Sequence, residues 1–170
     1  MYHPDREIRD KEIIKAILVM CDVITVSFNG DGFPYALPLN FGFEYGEDLV
    51  FYTHHAPEGH KNKFIEKKPK VCVTAHRFID NIYNEYDNSH HDYRSVTAFG
   101  EMSFIPRESA EFTAAFESLC RHNGRTVPAS VYGPGFNALA AKIVCRGENV
   151  TGKAQRRIAR PEDVPFKYNK

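Results

Sequence analysis

Short runs of β-branched and aromatic residues follow one another through the first third of the chain, separated by turns and not by long helices. Residues 23–28 (VITVSF) end at the turn sequence NGDG (29–32), which predicts a hairpin into a second strand over 34–44. Residues 45–48 turn the chain again into a third strand over 49–53. Because strands joined by tight turns pair antiparallel, this stretch predicts a meander of three strands in an antiparallel sheet.

The rest of the chain adds strands in the same order and inserts helices at few points. Pro38 indicates an edge strand or a bulge, because proline cannot donate a ladder hydrogen bond, and Gly100 indicates a bulge. Strands and helices do not alternate in the βαβ manner, so we predict one mainly β, α+β domain over 1–170, an antiparallel barrel-like sheet with peripheral helices. The predicted helices cover 5–21, 62–67 and 107–122, the further strands 70–75, 94–105 and 141–149, and a long polar loop 80–93.

The charge balance excludes one broad class of partner. The 170 residues contain 22 Lys+Arg and 22 Asp+Glu, which gives a formal net charge of zero. A protein that binds nucleic acid or an anionic membrane by neutralising phosphates carries an excess of basic residues. We therefore expect neither partner.

The cysteines and the N-terminus favour a reducing, cytoplasmic location. The four cysteines are widely spaced, and Cys21, Cys72 and Cys145 lie within apolar runs, so we predict buried free thiols and not disulfides. Residues 1–6 (MYHPDR) are charged where a signal peptide needs an apolar segment. The apolar runs are also far shorter than the roughly 20 residues that cross a bilayer.

The segment 52–61 (YTHHAPEGHK) is the best candidate for an anion site. Lys61 supplies a positive charge, His60 a donor and Thr53 a hydroxyl group, while Gly59 allows the backbone to approach a ligand closely. These are the groups that a phosphate requires. The lysines that follow are equally explained as the solvated face of a short helix.

Several motifs occur together in an order that identifies a family. Residues 34–41 (PYALPLNF) fit a strand of the form P-x-x-x-P-x-N-(F/Y), and 52–61 fit aromatic-x-His followed by Ala-x-Glu-Gly-x-Lys. Residues 93–96 (YRSV) and the later pair of 142–143 (KI) with 151–153 (TGK) extend the match. Together they resemble the pyridoxamine 5′-phosphate oxidase-related FMN-binding split barrels, and most closely their 5-nitroimidazole resistance branch.

The resemblance implies a fold, an assembly and a set of cofactor contacts. It implies a six-stranded antiparallel split β-barrel of Greek-key type, and a homodimer with two FMN molecules in clefts between the subunits. Pro38, Leu39 and Asn40 would line the flavin ring. The remaining contacts that it implies are Tyr52, Thr53 and His54 along the ribityl chain and phosphate, His60 and Lys61 at the phosphate, and Ser95, Val96 and Lys153 at the same cleft.

Two classes of function remain open at this point. The first is an FMN-dependent oxidoreductase that reduces a small aromatic or nitro compound with electrons from NAD(P)H, with His54 as the candidate catalytic residue or, alternatively, a cap at the strand end. The second is a non-catalytic module that binds FMN as a carrier or redox-responsive partner. The same fold could also hold haem or a deazaflavin.

Some residues depart from the family pattern. His55 stands where many relatives have a small residue, and the loop 80–93 with His90 and His91 matches none of the family motifs. His90, His91 and Asp92 could bind a metal together with His55 or His122. We favour solvated loop residues, because adjacent histidines point apart on an extended chain, and we predict no metal site.

Overall fold

The computed structural model describes residues 3–30, 32–67, 69–82, 90–133 and 135–164. Within these ranges it contains three α-helices, which are α1 (Lys11–Val19), α2 (Asn62–Ile65) and α3 (Ala110–His122). The nine strands of the same ranges are β1 (Glu7–Ile8), β2 (Ile24–Phe28), β3 (Tyr35–Leu39), β4 (Gly42–Tyr45), β5 (Leu49–His55), β6 (Lys70–Ile82), β7 (His90–Ile105), β8 (Leu139–Cys145) and β9 (Val150–Ala154).

The strands form one antiparallel sheet in the order β3-β2-β6-β7-β8-β5-β4, and β9 pairs with both β7 and β1. The two end strands, β3 and β4, are consecutive in the chain, so the sheet curls to bring its ends together at a seam. The predicted class is therefore confirmed, a mainly β, α+β fold with helices around an antiparallel split barrel. The described sheet has nine strands where six were predicted, because the predicted strand over 34–44 divides in two and neither β1 nor β9 was predicted.

The predicted single strand over 34–44 is wrong, and so is the predicted meander. β3 pairs with β2, whereas β4 pairs with β5, and the chain crosses the seam between them at Asn40 and Phe41. Phe41 is fully buried at this crossing, where its ring packs among other core aromatic rings. Burial of this side chain anchors the crossing, and a sequence pattern that reads only alternation cannot detect it.

The opening helix is shorter than predicted. It begins at Lys11, because the Asp10 carboxylate accepts hydrogen bonds from the backbone N–H groups of Glu12 and Ile13 and so caps the helix. Residues 7–8 instead form β1, which pairs with β9. The apolar face of α1 is buried as the periodicity predicted.

The predicted loop over 80–93 is wrong at both of its ends. Residues 80–82 pair with 90–92 and extend the β6–β7 hairpin, while residues 83–89 lie outside the described residues. The sequence hides this pairing because the segment is polar on both faces. Asp92 is nevertheless buried, since Arg94 on the same inner face forms an ion pair with it.

Gly100 does not form the predicted bulge, which lies instead between Phe78 and Asp80. A Cβ atom at residue 100 would lie 2.6 Å from the sulfur of Cys145, so the glycine permits close packing where β7 changes partner. β7 pairs with β9 over 94–98 and with β8 over 101–105. The predicted closing strand over 141–149 is too long, because β8 ends at Cys145 and residues 147–149 form a helical turn, and β9 follows it as a separate strand.

The strands alternate side chains between the barrel interior and an outer face. Most interior positions are apolar, as at Val26, Val73 and Val96, and the buried faces of α1 and α2 complete this core. α3 packs outside β4, β5 and β8 over a second apolar cluster. No helix in the described ranges is long and apolar enough to cross a membrane.

The opposite, outer face of β3, β2, β6, β7 and β9 carries small and polar side chains. Register places five of them side by side in one row across these strands. The row consists of Pro38, Thr25, Thr74, Thr97 and Thr151. We call this surface the threonine face.

Candidate functional site

β3 is an edge strand of the described sheet, as Pro38 predicted. It pairs with β2 alone, so alternate backbone groups on its other side have no strand partner. Pro38 is exposed on the threonine face, while Leu39 packs against the core. The Asn40 side chain donates to the carbonyl of Asp22 at 3.2 Å. The residues predicted to line the flavin ring thus present an open backbone edge.

The loop before α2 lies at the other end of β3. The side-chain amide nitrogen of Asn62 donates to the carbonyls of Ala56 and Pro57, at 3.0 Å each, and this holds the loop against the helix. The His60 ring lies edge-on to the Tyr35 ring at the start of β3, with 5.3 Å between centroids. Lys61 forms no ion pair with the described residues, so its ammonium group is available to an anion.

The end of β5 divides its predicted site residues between three environments. Tyr52 is buried in the cluster beneath α3. Thr53 and His55 point into the barrel and are almost completely buried, and the Thr53 hydroxyl oxygen lies 2.8 Å from Nε2 of His55. His54 is exposed on the outside. Only His54 of this group therefore presents its side chain to a ligand on the surface.

The two histidines of β5 both favour the neutral form. Burial, reinforced by Lys61 and His54, lowers the pKa of His55 from 6.5 to about 3. Partial burial and the same lysine also lower the pKa of His54. A neutral His54 can offer one N–H donor and one lone pair at neutral pH.

The later predicted residues lie on β7 and β9. The Ser95 hydroxyl donates to the carbonyl of Lys153 at 3.4 Å, and both side chains are directed to the threonine face. The Lys153 ammonium group lies 5.9 Å from the centroid of the Tyr93 ring. Val96 is buried in the core, and its backbone pairs with both β6 and β9, so it presents neither its side chain nor a free backbone group to a ligand.

The described residues do not place the candidate metal ligands together. His91 is exposed and hydrogen-bonded to Asn81, His55 lies inside the barrel, and His122 lies at the end of α3, while the side chain of His90 lies outside the described residues. Among the described side chains, no group of three or more metal-ligating residues could hold an ion.

A groove of about 910 Å³ on the outer surface was not predicted from the sequence. Phe99, which is 56% exposed, forms part of its wall, and two basic residues, Lys70 and Arg146, line it together with two acidic ones, Asp48 and Glu101. None of the predicted cofactor residues lines this groove. Its walls come from segments far apart in the chain, so no local sequence motif could have indicated it.

Comparison with known proteins places the chain among related sequences and structures. A model of the pyridoxamine 5′-phosphate oxidase family matches residues 10–153. A crystal structure from Bacteroides thetaiotaomicron, described provisionally as a 5-nitroimidazole antibiotic resistance protein, is 25% identical, with a TM-score of 0.70 over 87% of this chain and 86% of that chain. A search of curated proteins gives no match.

Two more distant structures share the fold. The FAD and heme binding protein of Mycobacterium smegmatis is 20% identical, with a TM-score of 0.68 over 94% of this chain and 78% of its own. A FAD-binding protein of Mesorhizobium loti is 19% identical, with a TM-score of 0.60 over 89% and 98%. The family match covers most of the chain and confirms the resemblance found in the motifs. The chain therefore belongs to the pyridoxamine 5′-phosphate oxidase family.

Proposed function

We propose that the protein binds FMN and uses it to reduce a small aromatic or nitro compound with electrons from NAD(P)H. The observation that carries this proposal is the arrangement along β3. The loop that contains His60 and Lys61 lies at the start of β3. The unpaired backbone edge beside Pro38 and Leu39 lies at its end. Three to five residues of strand separate them, about 10 to 17 Å, which suits a molecule with a phosphate at one end and a flat ring at the other.

The chemistry of these groups fits a flavin mononucleotide. Lys61 and His60 would bind the phosphate, and the backbone beside Pro38, Leu39 and Asn40 would hydrogen-bond the polar edge of the ring. The side chains of Tyr52 and Thr53 are buried, and the backbone of Tyr52 pairs with both β4 and β8, so of these two residues only Thr53 would contribute, through its backbone. When bound, FMN supplies the acceptance and donation of hydride, and the protein supplies position and electrostatics.

The site would be completed by a second copy of the chain. Ser95 lies three strands from the open edge of β3, about 14 Å at the usual strand spacing, and Lys153 lies one strand further. One flavin at the β3 edge would not contact these side chains in the same subunit, so a partner would bring its own Ser95 and Lys153 to the other side of the ring, with Val96 supporting them from the core. Exposed Phe78 and Phe99 support burial of this surface in a homodimer.

His54 is the side chain that we assign to the reaction. It is exposed near Lys61, and its lowered pKa keeps it neutral, so it could hydrogen-bond the substrate or transfer a proton to it. Within this proposal the whole chain, 1–170, is one flavin-binding domain. A cytoplasmic location would supply NAD(P)H and suits the four cysteines, which are all free.

Replacement of Lys61 tests the phosphate assignment. Lys61→Ala removes a charge-assisted hydrogen bond worth roughly 1.5–3 kcal/mol, so FMN affinity should fall about 10- to 100-fold in a fluorescence titration. Lys63→Ala is the matched control, because Lys63 is exposed one residue into the same helix and should leave affinity unchanged. Equal losses in the two variants would reject the assignment.

A reduction and reoxidation assay distinguishes an enzyme from a module that only carries the flavin. We expect NADH or NADPH to bleach the flavin under anaerobic conditions and a nitroimidazole to restore its colour. His54→Gln should slow the second step more than it weakens FMN binding. A flavin that no nicotinamide reduces would favour the non-catalytic module.

A further inference from the structure

The crossing between β3 and β4 has no strand partner of its own. β3 ends at Leu39 and β4 begins at Gly42, and the two residues between them step from one edge of the sheet to the other. This crossing directly follows the backbone assigned to the flavin ring. Its position must therefore be set by side chains that reach it from elsewhere in the fold.

The C-terminal end of α3 supplies those side chains. The His122 ring lies against the ring of Phe41, with 4.3 Å between centroids, and edge-on to Phe43 at 5.5 Å. Nε2 of His122 lies 2.8 Å from the carbonyl oxygen of Cys21 and must be the donor, because a carbonyl can only accept. Asn123 donates its amide to the carbonyls of Phe41, at 3.3 Å, and Leu119, at 2.8 Å.

The helix itself is seated directly on the crossing. A Cβ atom at residue 42 would clash with the backbone of Leu119 and would lie 2.7 Å from the carbonyl oxygen of Ser118, so Gly42 allows α3 to touch β4. The Ser118 hydroxyl donates to the carbonyl of Phe43 at 3.4 Å. α3 thus has little freedom to move relative to the seam.

A second link joins the same segment to the crossing. The carbonyl of Cys21 accepts from His122, and the next carbonyl, that of Asp22, accepts from Asn40. The segment 21–22, the crossing and the end of α3 therefore form one hydrogen-bonded unit, which we call the seam clamp. Its members come from three separate parts of the chain.

We propose that His122 and Asn123 are positioning residues for the flavin ring, acting through Phe41 and Asn40 on the free edge of β3. This inference rests on the proposed function. A phenylalanine at residue 122 could pack on Phe41 equally well, so the polar ring contributes its hydrogen bond to Cys21. That hydrogen bond fixes the orientation of the His122 ring, and the packing of this ring on Phe41 in turn holds the crossing in place.

His122→Phe tests the clamp because it keeps an aromatic ring and removes the donor. Loss of one such hydrogen bond corresponds to a change of about 2- to 12-fold in an equilibrium constant. We expect amide hydrogen exchange over 39–43 to accelerate in the flavin-free protein, FMN affinity to fall by a factor in the same range, and the visible spectrum of the bound flavin to shift. Asn123→Ala should act in the same direction.

Arg121→Gln is the matched control, since it removes an exposed ion pair between α3 and Glu44 of β4 and leaves the clamp intact. It should match the wild type in all three measurements. Unchanged exchange in His122→Phe would overturn the clamp. Faster exchange with unchanged FMN affinity and spectrum would overturn the positioning role and leave the proposed function standing, whereas a wild-type protein that binds no FMN would overturn both.

Discussion

His55 should make the protein less stable as the pH falls from 7 to 5. Its side chain is 1% exposed inside the barrel, where Nε2 is hydrogen-bonded to Thr53 and Nδ1 has no partner. Burial lowers its pKa from 6.5 to about 3. Below pH 6.5 the unfolded chain takes up a proton at this residue, and the folded protein does not until the pH approaches 3.

The size of the effect follows from this difference in proton uptake. Because the unfolded state binds more protons over this range, the free energy of unfolding falls by about 1.4 kcal/mol per pH unit. By pH 5 the free energy of unfolding has fallen by about 2 kcal/mol relative to pH 7. The loss is absent well above the pKa of His55 in the unfolded chain, 6.5, and it grows until the pH reaches the pKa in the folded protein, about 3. One buried side chain would thus remove a sizeable part of the total stability of a small domain.

Urea unfolding at pH 7, 6 and 5 measures this loss, with wild type and His55→Gln at the same protein concentration. The variant keeps all carboxylates, so the difference between the two pH slopes isolates His55, and the variant should lose about 2 kcal/mol less. His76→Gln is the control, because it removes a histidine that is exposed in the folded protein and should retain the wild-type slope. An identical slope in His55→Gln and wild type would refute the reasoning.

Two further predictions concern the packing of the barrel. Gly42→Ala should cost about 1–3 kcal/mol in urea unfolding, because the added methyl group clashes with the backbone of α3, whereas Gly46→Ala, with nothing near its Cβ position, should stay within about 0.5 kcal/mol of wild type. Asp92→Ala leaves the buried guanidinium of Arg94 without its carboxylate and should cost about 3–5 kcal/mol, against less than about 1 kcal/mol for Asp22→Ala in an exposed pair. Equal losses of stability in Gly42→Ala and Gly46→Ala would contradict the close packing at Gly42. Equal losses in Asp92→Ala and Asp22→Ala would contradict the burial of the Asp92–Arg94 ion pair.

The sequence predicted those parts of the fold that are recorded locally. The period of α1 and α3, the hairpin after Phe28 and the edge position of Pro38 all follow from residues close together in the chain. Their apolar spacing and turn chemistry determine local structure without help from distant segments. The motifs 34–41 and 52–61 likewise identified the family.

The remaining errors arise where distant segments decide the structure. Whether 34–44 is one strand or two depends on closure of the sheet, which buries Phe41 at the seam. The strand around Asp92 looked like a loop because what makes it a strand is its pairing with residues 80–82, and because the ion pair with Arg94 buries a charge that sequence patterns treat as exposed. Gly100 was predicted to be a bulge because the real reason for a glycine there, the close approach of the Cys145 sulfur, comes from another strand and leaves no signal in the local sequence.

The candidate site shows the same division. The types of residue needed for a phosphate were evident in 52–61, but the direction of each side chain was not. Alternation along β5 turns Thr53 inward and leaves His54 outside, and the strand order separates Ser95 from the β3 edge. The seam clamp escaped prediction because its three segments are adjacent only after folding.

The central claim is that this chain binds FMN between two copies of itself. The most direct measurement is to purify the protein, identify the flavin released on denaturation by mass, and determine the mass of the native complex in solution. We predict FMN at one molecule per chain in a complex of two chains. A colourless protein that does not take up FMN, or a monomer that binds FMN with full affinity, would contradict the claim, and release of FAD would contradict the assignment of the mononucleotide.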